Sequence, residues 1–256
     1  MSRTALVTGA TAGIGLAFAR QLAAQGYDVV LVARDTARLE AVAEELTATA
    51  GVSTEVLAAD LADRAQLATV ERRLADPTDT ERPIDLLVNN AGFGLKGRFL
   101  DNDVEQEQAM LDVLVVAVMR LTHAALRAMA ERGSGGIINV SSVAGYQPRG
   151  TYSAAKAWVN RFGEWASVEY ADRGVRIMTL CPGFTKTEFH GRMEVGRDAV
   201  PSFLWLDVDD LVAEAIADFE AGKSFSVPSK RYKAITAVSR HLPTRLLQRF
   251  QTLGRK

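Results

Sequence analysis

Seven runs rich in Val, Ile and Leu recur along the chain at Thr4–Thr8, Asp28–Ala33, Ser53–Ala59, Ile84–Val88, Ile137–Ser141, Val175–Cys181 and Ser224–Val227. Segments of helical period separate them: Ile14–Gln25, Thr36–Thr49, Asp63–Ala75, Asp103–Arg132, Ser153–Arg173 and Asp207–Ala221. A strand with one wet face would alternate polar and apolar residues, and these runs mostly do not. They are therefore expected to be buried on both faces, as happens when crossover helices cover a parallel sheet from either side. The expectation is an α/β fold: one doubly wound domain over residues 1–256, with about seven parallel strands and helices on both faces. The pattern loosens after Pro182, giving an irregular lobe at about 184–206 and a basic tail at about 228–256.

The chain is 48% hydrophobic and 24% charged, enough apolar material for a core and too much for general disorder. Its longest purely apolar run, Val113 to Met119, is seven residues, so no membrane span is expected. The first strand begins almost at once, at Thr4, and no secretory leader is read before it. A single cysteine, Cys181, excludes a disulfide framework. The scattered His123, His190 and His241, with no clustered carboxylates, predict no metal site. These features suit a reducing, cytoplasmic setting.

Charge is uneven. From Ala221 to Lys256 there are nine basic residues and no acidic one, so the first 220 residues carry −10 within a net charge of −1. Two readings stay open. The tail pairs with the acidic body, or it gives peripheral contact with an anionic membrane; Leu242, Leu246, Leu247 and Phe250 at helical spacing, beside Arg245 and Arg249, suit docking on the body or lying on a bilayer. No nucleic-acid partner is expected.

The first strand runs straight into Thr8-Gly9-Ala10-Thr11-Ala12-Gly13-Ile14-Gly15 and then a helix. Glycine is needed where the chain turns tightly and where backbone approaches a pyrophosphate, and the helix aims its N-terminal amides at that anion. This strand–loop–helix context predicts dinucleotide binding. The second strand ends in Ala33-Arg34-Asp35. An acid there would suit a ribose hydroxyl, whereas Arg34 suits a 2′-phosphate, so NADP(H) is favoured over NAD(H); the alternative is a solvated Arg34 with Asp35 simply a helix cap.

Tyr152 and Lys156 stand at i and i+4, on one face of a predicted helix. A nearby ammonium favours a phenolate, so Lys156 is expected to lower the Tyr152 pKa for proton exchange with a carbonyl or alcohol oxygen. Ser141 and Ser142 end the preceding strand, at the carboxyl edge where open α/β sheets place their sites.

Taken together, Thr8-Gly-x-x-x-Gly-Ile-Gly15, Asp60-Leu61, Asn89-Asn90-Ala91-Gly92, Ser142, Tyr152-x-x-x-Lys156 and Pro182-Gly183-x-x-x-Thr187 resemble the short-chain dehydrogenase/reductases. The resemblance spans residues 4 to about 190. It implies a Rossmann-type domain that interconverts an alcohol and a carbonyl with NAD(P)(H), usually as a homodimer or homotetramer. It implies Tyr152 as acid/base, Lys156 as ribose ligand and modulator of Tyr152, and Ser142 rather than Ser141 as the group polarising the substrate oxygen. The cofactor would meet Gly9, Thr11, Gly13, Ile14, Gly15, Arg34, Asp60, Leu61, Asn90, Ala91, Gly92, Tyr152, Lys156, Pro182, Gly183 and Thr187. Phe93, Tyr146, Phe184 and Phe189 would face a hydrophobic substrate.

The chain departs from the family pattern twice. Leu114 stands where the family has an Asn that helps hold a water for proton delivery to the Lys. The loop Tyr146–Gly150 between Ser142 and Tyr152 is short. Two functions follow: an NADP(H)-dependent oxidoreductase acting on a hydrophobic carbonyl or alcohol, or a catalytically weakened dinucleotide-binding protein that senses redox state or binds a partner. The Ser142, Tyr152 and Lys156 set favours the first.

Overall fold

The computed structural model describes residues 2–75, 82–188 and 201–239. Phe189, His190, His241 and the apolar series from Leu242 lie outside these residues, so the membrane reading of the far tail does too.

Seven parallel strands form one sheet in the order β3-β2-β1-β4-β5-β6-β7. They are β1 Thr4–Thr8, β2 Asp28–Ala33, β3 Thr54–Ala58, β4 Ile84–Asn89, β5 Gly135–Val140, β6 Val175–Leu180 and β7 Phe225–Ser226. The last is shorter than the predicted Ser224–Val227. The helices are α1 Gly13–Ala24, α2 Thr36–Ala50, α3 Arg64–Ala75, α4 Val104–Leu111, α5 Val118–Arg132, α6 Thr151–Glu169, α7 Val208–Glu220 and α8 Lys230–Ser239.

Alternate residues of each strand feed two cores. Ala5, Val7, Val29 and Leu31 pack with Phe18 and Leu22 of α1, Leu39 of α2 and Val212 of α7. Leu6, Val30 and Val32 turn the other way, to Leu67 of α3, Leu121 of α5 and Ala166 of α6. The apolar runs lack alternation because both faces of each strand are covered. Winding reverses between β1 and β4, and in open α/β sheets the crevice at such a switch point, beyond the carboxyl ends of the strands, is the ligand site.

The predicted single helix over Asp103–Arg132 is interrupted. Asp112–Ala117, containing Leu114, forms a π-helical segment between α4 and α5. The stretch Val104–Arg132 is long and apolar enough, by length and composition, to cross a bilayer, although its longest unbroken apolar run is seven residues. Its buried face, with Leu121, Ala125 and Met129, packs on the sheet. Helix α6 ends at Glu169, with a separate 3-10 turn at Ala171–Arg173 completing the predicted span.

The near part of the basic tail is docked. Lys233 pairs with Glu214 at 2.7 Å, Lys223 pairs with Asp218, and Arg231 donates to the Phe203 carbonyl. These residues follow the reading in which the tail pairs with the body.

Candidate active site

At the switch point the chain leaves β1 through Gly9 and Gly13, whose φ angles of 69° and 54° lie in the left-handed region that favours glycine. Gly15 is needed for space: a Cβ there would overlap the Gly9 carbonyl. Asn90 knits the turn to β4, its amide donating to the Thr8 carbonyl at 2.9 Å. Thr8 Oγ1 in turn accepts the N–H groups of Asn90 and Ala91 at 2.9 and 3.0 Å.

Helix α1 starts on Ala12, which offers no capping side chain. By contrast Asp35, Asp63, Asp103 and Asp207 cap α2, α3, α4 and α7. The first amides of a helix need an acceptor, and beside a loop cleared of side chains a pyrophosphate supplies one. These residues fit a dinucleotide. Thr11 and Ile14 flank the loop, and Thr187 packs over it, 3.1 Å from where a Cβ on Gly13 would stand. Pro182 is buried and Gly183 half-buried just beyond β6.

At the end of β2, Arg34 is exposed and its guanidinium lies 4.0 Å from the Asp60 carboxylate. Asp35 accepts the Arg38 N–H at 3.1 Å, as a helix cap should. Asp60 accepts the Ala62 N–H at 3.0 Å. Leu61 turns its side chain into the core beside α3, so only its main chain is open to a ligand.

The other wall is made of side chains. Tyr152 sits in the first turn of α6 and Lys156 one turn on, with Nζ 5.8 Å from the Tyr152 ring centroid. The two serines separate. Ser141 is buried and donates to the Lys156 carbonyl at 2.9 Å, which fastens α6 to β5. Ser142 hydrogen-bonds the Tyr152 phenol and also accepts the Ala144 N–H at 3.1 Å. Lys156 donates to the Val140 carbonyl at 2.8 Å.

Burial pushes the Tyr152 phenol up to about 12, against a smaller pull from Ser142, and the Lys156 ammonium down to about 8. Burial dominates the Tyr152 pKa in this structure and raises it, so the lowering expected from Lys156 is not seen here. At neutral pH Tyr152 is a protonated donor.

Apolar residues close the outer side. Phe93 and Leu95 pack with Met110, Leu114, Ala155 and Tyr152. Phe184 tilts against Trp205 at 5.8 Å. Tyr146, expected at the substrate, meets Phe225 edge-on at 6.3 Å and packs beside Cys181 and Tyr232. Among the described residues no cluster of His, Cys, Asp or Glu could hold a metal.

Sequence reading missed the supports. Asn89 Nδ2 donates to Asn139 Oδ1 at 2.9 Å and to Thr122 Oγ1 at 3.1 Å, a buried bridge joining β4, β5 and α5. Asn160, one turn beyond Lys156, accepts from the Cys181 thiol at 3.1 Å. The signals were a polar residue inside the apolar run at Asn139 and the i+4 spacing from Lys156 to Asn160.

A model of the short chain dehydrogenase family matches residues 3–197. The chain belongs to that family. It is a Rossmann-like NAD(P)-dependent oxidoreductase. Sulfoacetaldehyde reductase 2 of Chromohalobacter salexigens is 35% identical over 223 residues, 85% of this chain and 86% of that protein. A short-chain dehydrogenase from Sphingobium yanoikuyae, solved in complex with NADPH, shares 33% identity at a TM-score of 0.85, covering 92% of this chain and 93% of its own. The bulky-bulky ketone specific alcohol dehydrogenase of Comamonas testosteroni shares 29% identity at a TM-score of 0.80, covering 94% and 95%.

Within this short-chain dehydrogenase, Leu114 is 1% exposed, and its Cδ2 lies 2.7 Å from where a Cβ on Gly92 would stand. Leu114 thus fills space beneath the cofactor-side loop from within the π segment, where the family places an amide.

Proposed function

We propose that this short-chain dehydrogenase uses NADP(H) to interconvert a hydrophobic carbonyl and its alcohol, with Tyr152 as acid/base. The observation that carries the reading is the Ser142–Tyr152–Lys156 arrangement at the carboxyl edge of the sheet, facing the uncapped end of α1. The bound cofactor supplies or accepts the hydride. In reduction, Ser142 orients and polarises the carbonyl oxygen, and Tyr152 donates its proton to that oxygen. The phenolate left behind is stabilised by the Lys156 charge. In oxidation the same groups take the proton back.

Arg34 supports the phosphorylated cofactor, since an exposed guanidinium binds a 2′-phosphate bidentately and Asp35 is engaged as a cap. Phe93, Phe184 and Trp205 support a bulky apolar substrate, in line with the ketone-specific relative. A homodimer or homotetramer suits the outer face of α6. There Trp158 stacks on Phe162 at 4.7 Å, and Trp165 and Val168 are 52% and 79% exposed. The weakened-enzyme alternative rests on Leu114 alone.

The test is a panel of bulky ketones and lipophilic aldehydes with NADPH and with NADH, scored by nicotinamide oxidation and by alcohol formed. Stoichiometric turnover with NADPH, lost in preference when Arg34→Ala is introduced, is the expected result. Dinucleotide binding without turnover across the panel favours the alternative, and equal loss of both cofactors in Arg34→Ala removes the NADP assignment.

A further inference from the structure

The lobe after Gly183 leaves the body on one stem and returns on another. Thr185 and Leu206 pair as a parallel bridge, with Leu206 N donating to the Phe184 carbonyl at 2.8 Å and Lys186 N to the Leu206 carbonyl at 3.1 Å. A third element reaches both stems. The Tyr232 hydroxyl, from α8, accepts the Phe184 N–H at 3.0 Å and donates to the Leu204 carbonyl at 2.8 Å. One hydroxyl thus uses its donor and an acceptor position to tie the departing stem to the returning one. Its ring covers Gly183 so closely that a Cβ there would overlap it, and the residue is 3% exposed.

Helix α8 is itself braced. Glu214 of α7 accepts the Ser229 N–H at 3.0 Å and the Lys233 ammonium at 2.7 Å. Ser229, just before α8, holds a φ of 80°, the one positive φ at a non-glycine position among the described residues. Such a conformation persists only where its surroundings over-determine it. Arg231 adds a bond to the Phe203 carbonyl. The departing stem continues to Thr187 over the glycine loop, and the two stems carry Phe184 and Trp205, in ring contact at 5.8 Å.

We propose that Tyr232 is a positioning residue for substrate. It fixes the base of the lobe, and through it the angle at which Phe184 and Trp205 meet the substrate. This deepens the carbonyl/alcohol reading and rests on it. Tyr232→Phe keeps the ring over Gly183 and removes both stem bonds. Phe184 and Trp205 would pack on the unreacting part of the substrate, alike in ground and transition states, so the loosening acts on uniform binding. With two net hydrogen bonds lost, KM for a bulky ketone is expected to rise about 5–20-fold, kcat to stay within about twofold, and KM for a small aldehyde to rise less. The NADPH Kd is expected within about twofold of wild type. Hydrogen exchange at the Phe184 amide should accelerate while amides of β4 and β5 do not.

A Tyr232→Phe enzyme with unchanged KM for both substrates, or one whose losses are the same for bulky and small carbonyls, overturns the inference. If that variant does not fold, Glu214→Ala, which unfastens α8 without touching the lobe, is expected to shift KM in the same selective way by about 2–5-fold. No selective shift overturns the inference there too. A wild-type enzyme that turns over no carbonyl refutes the reading beneath it, whereas turnover with an unmoved KM in the variants refutes the inference alone.

Discussion

On the β1 side the site is lined by main chain, and on the β5 side by buried side chains. Gly9, Gly13 and Gly15 clear a loop in which α1 presents amides with no capping side chain. Across the crevice Ser141, Lys156, Asn139 and Asn89 hold one another and the strand carbonyls. The first wall binds by leaving room and exposing donors. The second sets the protonation of Tyr152 and Lys156 by removing water from them. Damage to the first should therefore appear as lost cofactor affinity, and damage to the second as altered pH dependence or stability.

The largest effect on cofactor binding is expected at Gly15. Gly15→Ala drives a methyl into the Gly9 carbonyl, which is backbone and cannot swing aside, so NADPH affinity should fall by more than about 100-fold. Gly26→Ala is the control. Its φ of 83° is also left-handed but nothing lies within 4 Å of the added Cβ, so it should cost about 1 kcal/mol of stability and leave NADPH binding intact. Fluorescence titration of both variants separates space from conformation. Equal affinity in the two would mean that the first wall does not depend on the space its glycines leave.

Next in size is the pH response of Lys156. Its pKa is depressed to about 8, so its charge is present below that value and lost above it. Reductive kcat/KM should fall about tenfold per pH unit above about 8, as the phenolate formed on Tyr152 loses its counter-charge. Lys156→Arg keeps its charge and should move that limb to higher pH. On stability the sign runs the other way. Between about 8 and the ordinary lysine value the unfolded chain binds the proton that the folded enzyme does not, so the Lys156 contribution to stability rises with pH. The raised Tyr152 value gives a fall above the ordinary tyrosine value and up to about 12. A single unfolding series against pH, compared with the rate profile, checks both.

The smallest effect on binding is expected at Asn139, deep in the second wall. Asn139→Ala takes one acceptor from Asn89 Nδ2 and should cost about 1–3 kcal/mol in urea unfolding, with the NADPH Kd nearly unchanged. A large loss of NADPH affinity would mean that the walls are not separable.

The same division decides what could be read in the sequence. Parallel strands covered on both faces announce themselves as unalternating Val, Ile and Leu, and a glycine loop announces itself because glycine is irreplaceable where it turns. Tyr152 and Lys156 were legible because helix geometry brings i and i+4 together. The fate of their protons was not, because desolvation depends on how α6 packs against β5. The roles of Ser141 and Ser142 diverge only once the chain beyond β5 turns one into the core and leaves the other capping the Val143–Tyr146 turn. The π segment around Leu114 left no mark in the periodicity, since Val113 to Met119 is apolar throughout and has no polar position to register a shift. Tyr232 lies in a stretch dominated by basic residues, and its partners at Phe184 and Leu204 are distant in sequence.

The central claim is that Tyr152 exchanges the proton that accompanies hydride transfer. Tyr152→Phe removes that proton and little else. With a bulky ketone and NADPH, kcat/KM should fall by about 10³-fold or more while the NADPH Kd stays at the wild-type value. Turnover in Tyr152→Phe within a few-fold of wild type, with cofactor binding intact, would contradict the account.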